Sequence, residues 1–254
     1  MSEKYDRHLR LKTVTNFRDI GGYKTQQGRT VAWRKVFRSG EFSRLNPDDY
    51  RRLTEELKLA TILDLRSDSE VKRAGTGLPD DTNIKYHNLS FMTDDDDRTT
   101  KVEARIYKPF TNMGDFYLQI VTNKGFGEKI VQALEMVAEP QNHPLAFNCA
   151  IGKDRTGILA AMLLSSLGVA EQDIVEDYSL SDPYMTVLKQ ELESRGDIPD
   201  DVKKMPDFFW RAVPETMTFL LSALRQEYGS IADYLKNMGA DGSLEQRLEK
   251  VLVV

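Results

Sequence analysis

The stretch that decides the fold is residues 144–157, PLAFNCAIGKDRTG. Its apolar run Leu145–Phe147 predicts a buried β-strand, and the apolar residues that follow Gly157 predict a buried helix. A polar loop lies between these two elements. Cys149, the only cysteine of the chain, comes at the end of the strand, and Arg155 stands where the helix begins. The stretch therefore predicts a strand, a tight loop and a helix in direct succession.

This arrangement suits the binding of an anion. A loop that leads into a helix N-terminus directs several main-chain N–H groups at one point, and such a cradle binds an oxyanion. The helix dipole and the Arg155 guanidinium add positive potential. A cysteine in this field is expected to act as a thiolate nucleophile. The residues expected to hold the oxyanion are Ala150, Ile151, Gly152, Lys153 and Thr156.

Three side chains of the loop receive individual roles. Arg155 is expected to bind two phosphate oxygens and to follow the charge that develops in the transition state. Thr156 offers a hydroxyl group to the sulfur when the sulfur leaves as a thiolate. Lys153 adds charge to the cradle, although a solvated surface lysine is an equally simple interpretation. The alternative for the whole loop is a structural cysteine beside an arginine that caps the helix.

Composition narrows the class of protein. A chain of 254 residues, 40% of them hydrophobic, forms one large domain or one domain with an appended subdomain. The net charge of −5 argues against a nucleic-acid binder. One cysteine excludes an internal disulfide framework, and neither a metal nor a cofactor is implied. The sequence has no visible signal peptide and no apolar run of membrane-spanning length, so we expect a cytoplasmic protein; export without a signal peptide stays open. The oligomeric state is not predicted.

The remaining pattern predicts an α/β fold. Short strands are expected within residues 13–40, at 60–67 and at 84–89, and Asn46 is expected to cap a helix that begins with Pro47. Beyond Gly168 the pattern is helical throughout. We predict a central, mostly parallel sheet flanked by helices, followed by an all-helical C-terminal part. The loop at the carboxyl end of a central strand is where such sheets bind ligands.

Several segments resemble the bacterial and fungal family of atypical tyrosine-phosphatase-like enzymes. They are 16–23 (NFRDIGGY), 37–40 (FRSG), 64–67 (DLRS), 149–157 (CAIGKDRTG) and 177–181 (DYSLS), and the tail with Tyr234-Leu235 is similar more loosely. The resemblance implies a tyrosine-phosphatase-like fold and a cysteine-dependent phosphatase that works through a phosphocysteine. The implied substrates are phosphotyrosine, phosphoserine or phosphothreonine, and phosphoinositides, so a phosphorylated protein, lipid or small-molecule phosphoester is the expected partner.

The leaving group needs a proton, which a carboxylic acid can supply. The resemblance assigns this role to an aspartate at the place of Asp154. Asp115, which lies before a helical stretch, is the alternative, and its simplest interpretation is a helix-start aspartate. We favour Asp154 as the acid.

One residue of the loop leaves the level of activity open. Asn148 stands where the resembling family has histidine before its nucleophile, so we expect a working but weaker enzyme. The alternative is a weak or inactive phosphate-recognition module.

We treat 1–254 as one domain in which 181–213 packs against the body or forms a helical lid. Five charged residues either tie the loop down or form a structural ion-pair network: Arg18, Asp19, Arg38, Asp64 and Arg66.

Overall fold

The computed structural model describes residues 6–91, 112–195 and 206–254. Within them, five strands form one sheet in the order β1-β2-β5-β3-β4. The strands are β1 (Arg18–Asp19), β2 (Val36–Ser39), β3 (Thr61–Asp64), β4 (Lys85–Asn88) and β5 (Leu145–Asn148). The β1–β2 pair is antiparallel and the other three pairs are parallel. The predicted mostly parallel sheet is confirmed.

Helices flank this sheet, and the elements described beyond residue 170 are all helical. The helices are α1 (Pro47–Arg51), which a π-helical turn extends through Arg52–Glu56, α2 (Asp68–Ala74), α3 (Met113–Thr122), α4 (Lys124–Ala138), α5 (Asp154–Ser166), α6 (Glu171–Ser179), α7 (Asp182–Arg195), α8 (Pro214–Tyr228), α9 (Ile231–Asn237) and α10 (Leu244–Leu252). A 3₁₀ turn spans Asp207–Trp210. The predicted all-helical C-terminal part is confirmed for the described residues.

Local sequence signals explain where several helices begin and end. The Asn46 side chain accepts the Asp49 N–H at 2.8 Å, and Pro47 occupies the first helical position of α1. Ser67 and Glu70 form a reciprocal capping box at the start of α2. After α5, Gly168 has a φ of +70°, the left-handed conformation that commonly ends a helix.

Strand β5 is buried on both faces of the sheet. Successive side chains of a strand point to opposite faces, so Phe147 and Leu63 contribute to one apolar core, and Ala146 and Ile62 to the other. All four side chains are almost completely buried. Burial on both faces explains why the β5 sequence is continuously apolar rather than alternating.

The parallel strands bring three polar residues to one edge of the sheet. Ser39 at the end of β2 and Asp64 at the end of β3 are both in register with Asn148 at the end of β5. The loop that begins at Cys149 therefore leaves the sheet at its carboxyl edge, between two neighbouring strands. In the described ranges, no helix combines the length and apolar character that crossing a membrane requires.

Candidate active site

The loop that follows β5 presents its main-chain amides without internal partners. Cys149 is only 2% exposed, and α5 begins at Asp154. Among the described residues, no acceptor receives a hydrogen bond from the main-chain N–H groups of residues 150 to 156. The first main-chain hydrogen bond of α5 runs from the Gly157 N–H to the Lys153 carbonyl at 2.8 Å. These amides, at the positive end of a helix dipole, are therefore available to an anion.

Gly152 lets the loop pass directly over the end of β2. Its φ is +77°, and a Cβ atom at this position would lie 2.5 Å from the main-chain carbon and oxygen of Ser39. Its carbonyl accepts hydrogen bonds from Arg38 Nη2 at 3.0 Å and from Asn16 Nδ2 at 2.9 Å. Asn16 Nδ2 also lies 3.3 Å from the Ile151 carbonyl. The N-terminal segment and β2 thus bind the loop through its carbonyl groups.

Asp177 of α6 holds the two arginines behind the loop. Its carboxylate pairs with Arg18 Nε at 3.2 Å and with Arg38 Nη1, and all three side chains are buried. Burial by itself would raise the pKa of Asp177, but the charges of Arg18 and Arg38 outweigh burial and hold that pKa well below its ordinary value. Asp177 is therefore ionised at neutral pH, and the buried network is paired.

Of the remaining residues predicted to form ion pairs, Asp64 and Arg66 support the loop, and Asp19 does not. Asp64 forms a buried pair with Arg66, with Nη2 and Oδ2 2.7 Å apart, and accepts a hydrogen bond from Asn148 Nδ2 at 3.1 Å. Asn148 thereby ties the start of the loop to β3. Asp19 instead accepts the main-chain N–H groups of Gly21 and Arg34, each at 2.8 Å, so it shapes a turn away from the loop.

Arg155 is held by a residue that the sequence analysis missed. Its Nη1 and Nη2 atoms donate to the two carboxylate oxygens of Glu70, at 2.6 and 2.8 Å. Glu70 also accepts the Ser67 N–H at 2.7 Å. Burial would raise the pKa of Glu70, but the hydrogen bonds and charge of Arg155 outweigh burial and lower it to about 2. The Ser67-x-x-Glu70 pattern could have predicted the cap, but not the contact with Arg155.

The guanidinium of Arg155 keeps a second edge for a ligand. Glu70 occupies the edge formed by Nη1 and Nη2. The edge formed by Nε and Nη2 carries two further N–H groups, and within the described residues Nε donates to no acceptor. One guanidinium can therefore bind a carboxylate and an oxyanion side by side.

Asp154, like Arg155, is hydrogen-bonded to a side chain outside the loop. The Tyr117 hydroxyl of α3 donates to Asp154 Oδ1 at 2.5 Å, and Lys153 Nζ lies 3.2 Å from the same oxygen. The hydroxyl of Tyr178 lies 2.9 Å from that of Tyr117. Burial and the charge of Asp154 raise the pKa of both tyrosines far above the ordinary value, so both hydroxyls are protonated donors. The sequence analysis did not identify Tyr117.

The Lys153 side chain contacts the segment 207–211, which precedes α8. Its side chain is fully buried, and Nζ lies 2.6 Å from the Phe209 carbonyl and 3.2 Å from the Arg211 carbonyl. The interpretation of Lys153 as a solvated surface lysine is therefore wrong, because three oxygens replace its water shell. The lysine connects the loop to the 3₁₀ turn Asp207–Trp210.

The two remaining candidate residues, Asp115 and Thr156, lie in different surroundings. Asp115 lies in the first turn of α3, where its N–H donates to Asn112 Oδ1 at 3.0 Å and its Oδ2 accepts from Asn112 Nδ2 at 2.8 Å. Asp115 thus has the helix-start environment described by its simplest interpretation. Thr156 is fully buried beside the loop, and its hydroxyl has no hydrogen-bond partner in the described part of the chain.

The comparison with known proteins identifies the class. The sequence profile of the tyrosine phosphatase family matches residues 9–254, so the chain belongs to this family. It is similar to the triple specificity protein phosphatase PtpB of Mycobacterium tuberculosis, with 29% identity over 96% of this chain and 98% of the relative. It is also similar to a tyrosine-protein phosphatase of Nostoc commune, with 27% identity over 85% and 72%.

Among solved structures, the chain is similar to the core catalytic domain of the PP-IP phosphatase SIW14 from S. cerevisiae. The match has 20% identity and a TM-score of 0.36, and it covers 59% of this chain and 72% of the other. The family expected from the sequence is confirmed by the profile match. The protein is therefore a cysteine-type phosphatase, a hydrolytic enzyme, as the sequence predicted.

Replacing Gly152 with alanine should disrupt the loop. The new Cβ would lie 2.5 Å from main-chain atoms of Ser39, and the residue would keep a left-handed φ. We expect the free energy of unfolding to fall by about 3 kcal/mol or more, measured by urea denaturation. Gly168→Ala is the matched control, because Gly168 has a φ of +70° and no atoms within 4 Å of the added Cβ. Equal losses in the two variants would contradict the close contact.

Replacing Glu70 with glutamine should change the pH dependence of stability. Glutamine retains the cap on Ser67 but removes the charge that pairs with Arg155. A depressed carboxyl pKa stabilises the fold above the unfolded-state pKa, here 4.5, and this contribution is lost as the pH falls toward about 2. At pH 7 we expect the wild type to be more stable than Glu70→Gln by roughly 3 kcal/mol.

Denaturant titrations at several pH values would measure this difference, which should shrink steadily between about pH 5 and pH 2. Asp68→Asn, in the same helical turn, is the control for the loss of a carboxylate near a helix N-terminus. A stability difference for Glu70→Gln that stays constant down to pH 2 would show that the ion pair is not its cause.

Proposed function

We propose that the protein hydrolyses phosphate monoesters in two steps through a phosphocysteine at Cys149. In the first step the thiolate attacks phosphorus in line, and the bond between phosphorus and the leaving oxygen breaks. In the second step water attacks phosphorus, the phosphorus–sulfur bond breaks, and inorganic phosphate leaves. The observation that carries this proposal is the run of amides without hydrogen-bond acceptors, residues 150 to 156, which extends from the loop after Cys149 through the first turn of α5.

Phosphate binding is assigned to the loop amides and to Arg155. The N–H groups of Ala150 to Arg155 would donate hydrogen bonds to the equatorial oxygens of the phosphate. The Nε–Nη2 edge of Arg155 would bind two of these oxygens. Glu70 supports this assignment because it holds the opposite edge of the guanidinium and thereby orients it before substrate arrives. The unpartnered hydroxyl of Thr156 is available to stabilise the sulfur when it leaves as a thiolate.

Proton transfer to the leaving group is assigned to Asp154. Its carboxyl group adjoins Arg155 in the loop and keeps 22% of its side-chain surface exposed. Asp115 is engaged by Asn112, the N-cap residue of α3, through both its N–H and its carboxylate, which supports its interpretation as a helix-start aspartate. In the first step Asp154 would protonate the leaving oxygen, and in the second its carboxylate would take a proton from the attacking water.

The proposed substrate range rests on the chemistry of the loop amides and on two similar phosphatases. An amide cradle recognises a phosphate monoester rather than the group that carries it. The similarity to a triple specificity phosphatase over almost the whole chain supports activity toward phosphotyrosine, phosphoserine or phosphothreonine, and phosphoinositides. The inactive recognition module is not favoured by these relatives. A cytoplasmic location and the absence of nucleic-acid partners stay predictions from the sequence.

We also propose a single domain over 1–254 in which 181–213 is a helical insertion beside the active site. Residues 196–205 of it lie outside the described residues. The two ends of the insertion meet, because Asp182 Oδ1 accepts the Ala212 N–H at 2.6 Å and the Arg211 Nε at 2.9 Å. Contact with the loop runs through Lys153 and the Phe209 carbonyl. This placement supports a lid that limits access to the cradle.

Removing the nucleophile or the acid should have different kinetic effects. We expect Cys149→Ser to abolish hydrolysis of p-nitrophenyl phosphate, which the wild type should carry out with inhibition by vanadate. Asp154→Asn should lose the basic limb of its pH–rate profile and slow the hydrolysis of phenyl phosphate roughly a hundredfold or more. Asp115→Asn is the matched control and should keep a normal basic limb. Activity in Cys149→Ser, or a normal limb in Asp154→Asn, would refute the corresponding role.

Shortening the insertion should change access more than chemistry. Because Asp182 contacts Ala212, a short Gly-Ser linker can replace residues 184–209 without moving the ends apart. We expect the shortened protein to hydrolyse phosphopeptides faster relative to p-nitrophenyl phosphate, measured as the ratio of the two kcat/KM values. Val187→Ala, on the exposed face of α7, is the control and should leave this ratio unchanged. If the shortened protein folds and the ratio of the two kcat/KM values is unchanged, the segment is not a lid.

A further inference from the structure

The two oxygens of the Asp154 carboxyl group have different surroundings. Oδ1 is contacted by the Tyr117 hydroxyl at 2.5 Å and by Lys153 Nζ at 3.2 Å. Within residues 6–91, 112–195 and 206–254, Oδ2 receives no hydrogen bond. The carboxyl group is therefore held by a hydrogen bond at one oxygen and not at the other.

The direction of the hydrogen bonds behind Oδ1 follows from the number of protons. Tyr117 has a single hydroxyl proton, and it donates that proton to Asp154. The 2.9 Å bond between the two tyrosine hydroxyls must then be donated by Tyr178 and accepted by Tyr117. The two rings also pack edge to face, with centroids 6.1 Å apart, and both side chains are essentially buried. Packing therefore holds this donor chain in one orientation.

We propose that Tyr117, supported by Tyr178, is a positioning residue that confines the transferable proton of Asp154 to Oδ2. This inference rests on the proposed function, in which Asp154 is the general acid. A protonated carboxylic acid carries its hydrogen on one oxygen, and that oxygen cannot be Oδ1 while the Tyr117 hydroxyl donates to it and the Lys153 ammonium lies 3.2 Å away. The same hydroxyl and the same charge stabilise the carboxylate that remains after the proton has moved to the leaving oxygen.

The charged and titratable groups around Asp154 come from three elements. Lys153 and Arg155 flank it on its own loop, Tyr117 faces it from α3, and Tyr178 stands behind Tyr117 on α6. Of the side chains that contact Asp154 directly, only Tyr117 can be made apolar with the loss of one oxygen atom and no change in charge. Tyr117→Phe therefore isolates the contribution of its hydroxyl.

The test is the pH–rate profile of Tyr117→Phe with two substrates of different leaving group. Phenyl phosphate needs the acid strongly, and p-nitrophenyl phosphate needs it little. Without the hydroxyl, the carboxylate loses a donor and the proton can occupy either oxygen. We expect kcat for phenyl phosphate to fall about tenfold with KM nearly unchanged, and the basic limb to move up by roughly one pH unit. The loss with p-nitrophenyl phosphate should be much smaller.

Two further variants keep the test decisive. Tyr178→Phe removes only the outer donor and should move the limb in the same direction by less, which also serves if Tyr117→Phe does not fold. Tyr234→Phe is the matched control, because this buried hydroxyl donates to the Val121 carbonyl at 2.9 Å and not to a residue of the loop. It should reduce stability without moving the limb.

The outcomes separate this inference from the function on which it rests. If Asp154→Asn loses the basic limb while Tyr117→Phe and Tyr178→Phe both match the wild type, Asp154 is the acid and Tyr117 does not position it. If Asp154→Asn keeps a normal basic limb, the assignment of the acid fails and the inference fails with it. Loss of activity in Cys149→Ser, measured alongside, shows whether the phosphocysteine mechanism itself still holds.

Discussion

The buried carboxylate of Asp177 is the constraint on which the active-site loop depends. It pairs with both Arg18 and Arg38, neither of which could remain charged and buried without a partner. Arg38 in turn binds the Gly152 carbonyl, and Asn16 binds the carbonyls of Ile151 and Gly152. With its carbonyl groups held from behind, the loop has a fixed main-chain path, and its amides stay unengaged. Removing one partner of such a buried pair commonly costs about 3–5 kcal/mol.

Each functional side chain of the loop is held by a different part of the fold. Arg155 is oriented by Glu70 of α2, Asp154 by Tyr117 of α3, and Lys153 by two carbonyls of the segment 207–211. Catalysis by charge stabilisation depends on groups that are placed before the substrate binds, because they then need no reorganisation during the reaction. These contacts supply that preorganisation, at the cost of burying several ionised groups that must remain paired.

One residue connects the segment proposed as a lid with the proposed general acid. Lys153 Nζ contacts both Asp154 Oδ1 and two carbonyl oxygens of the segment proposed as a lid. A change in the position of that segment would therefore alter the number of donors and acceptors around the acid. Phe209 and Trp210 pack edge to face in the same turn, with ring centroids 5.2 Å apart, and Lys153 Nζ lies 5.4 Å from the centroid of the Phe209 ring.

The sequence by itself determined the order of the elements and the residue types of the loop. The apolar run of β5, the cap at Asn46 and the helical pattern beyond Gly168 are local signals, and the structure confirms the elements that they predicted. Only the tertiary structure decided which residues support the loop. Glu70 and Tyr117 lie 85 and 37 positions from their partners. Their contacts follow from how helices pack around the sheet, and no periodicity or short motif encodes that packing.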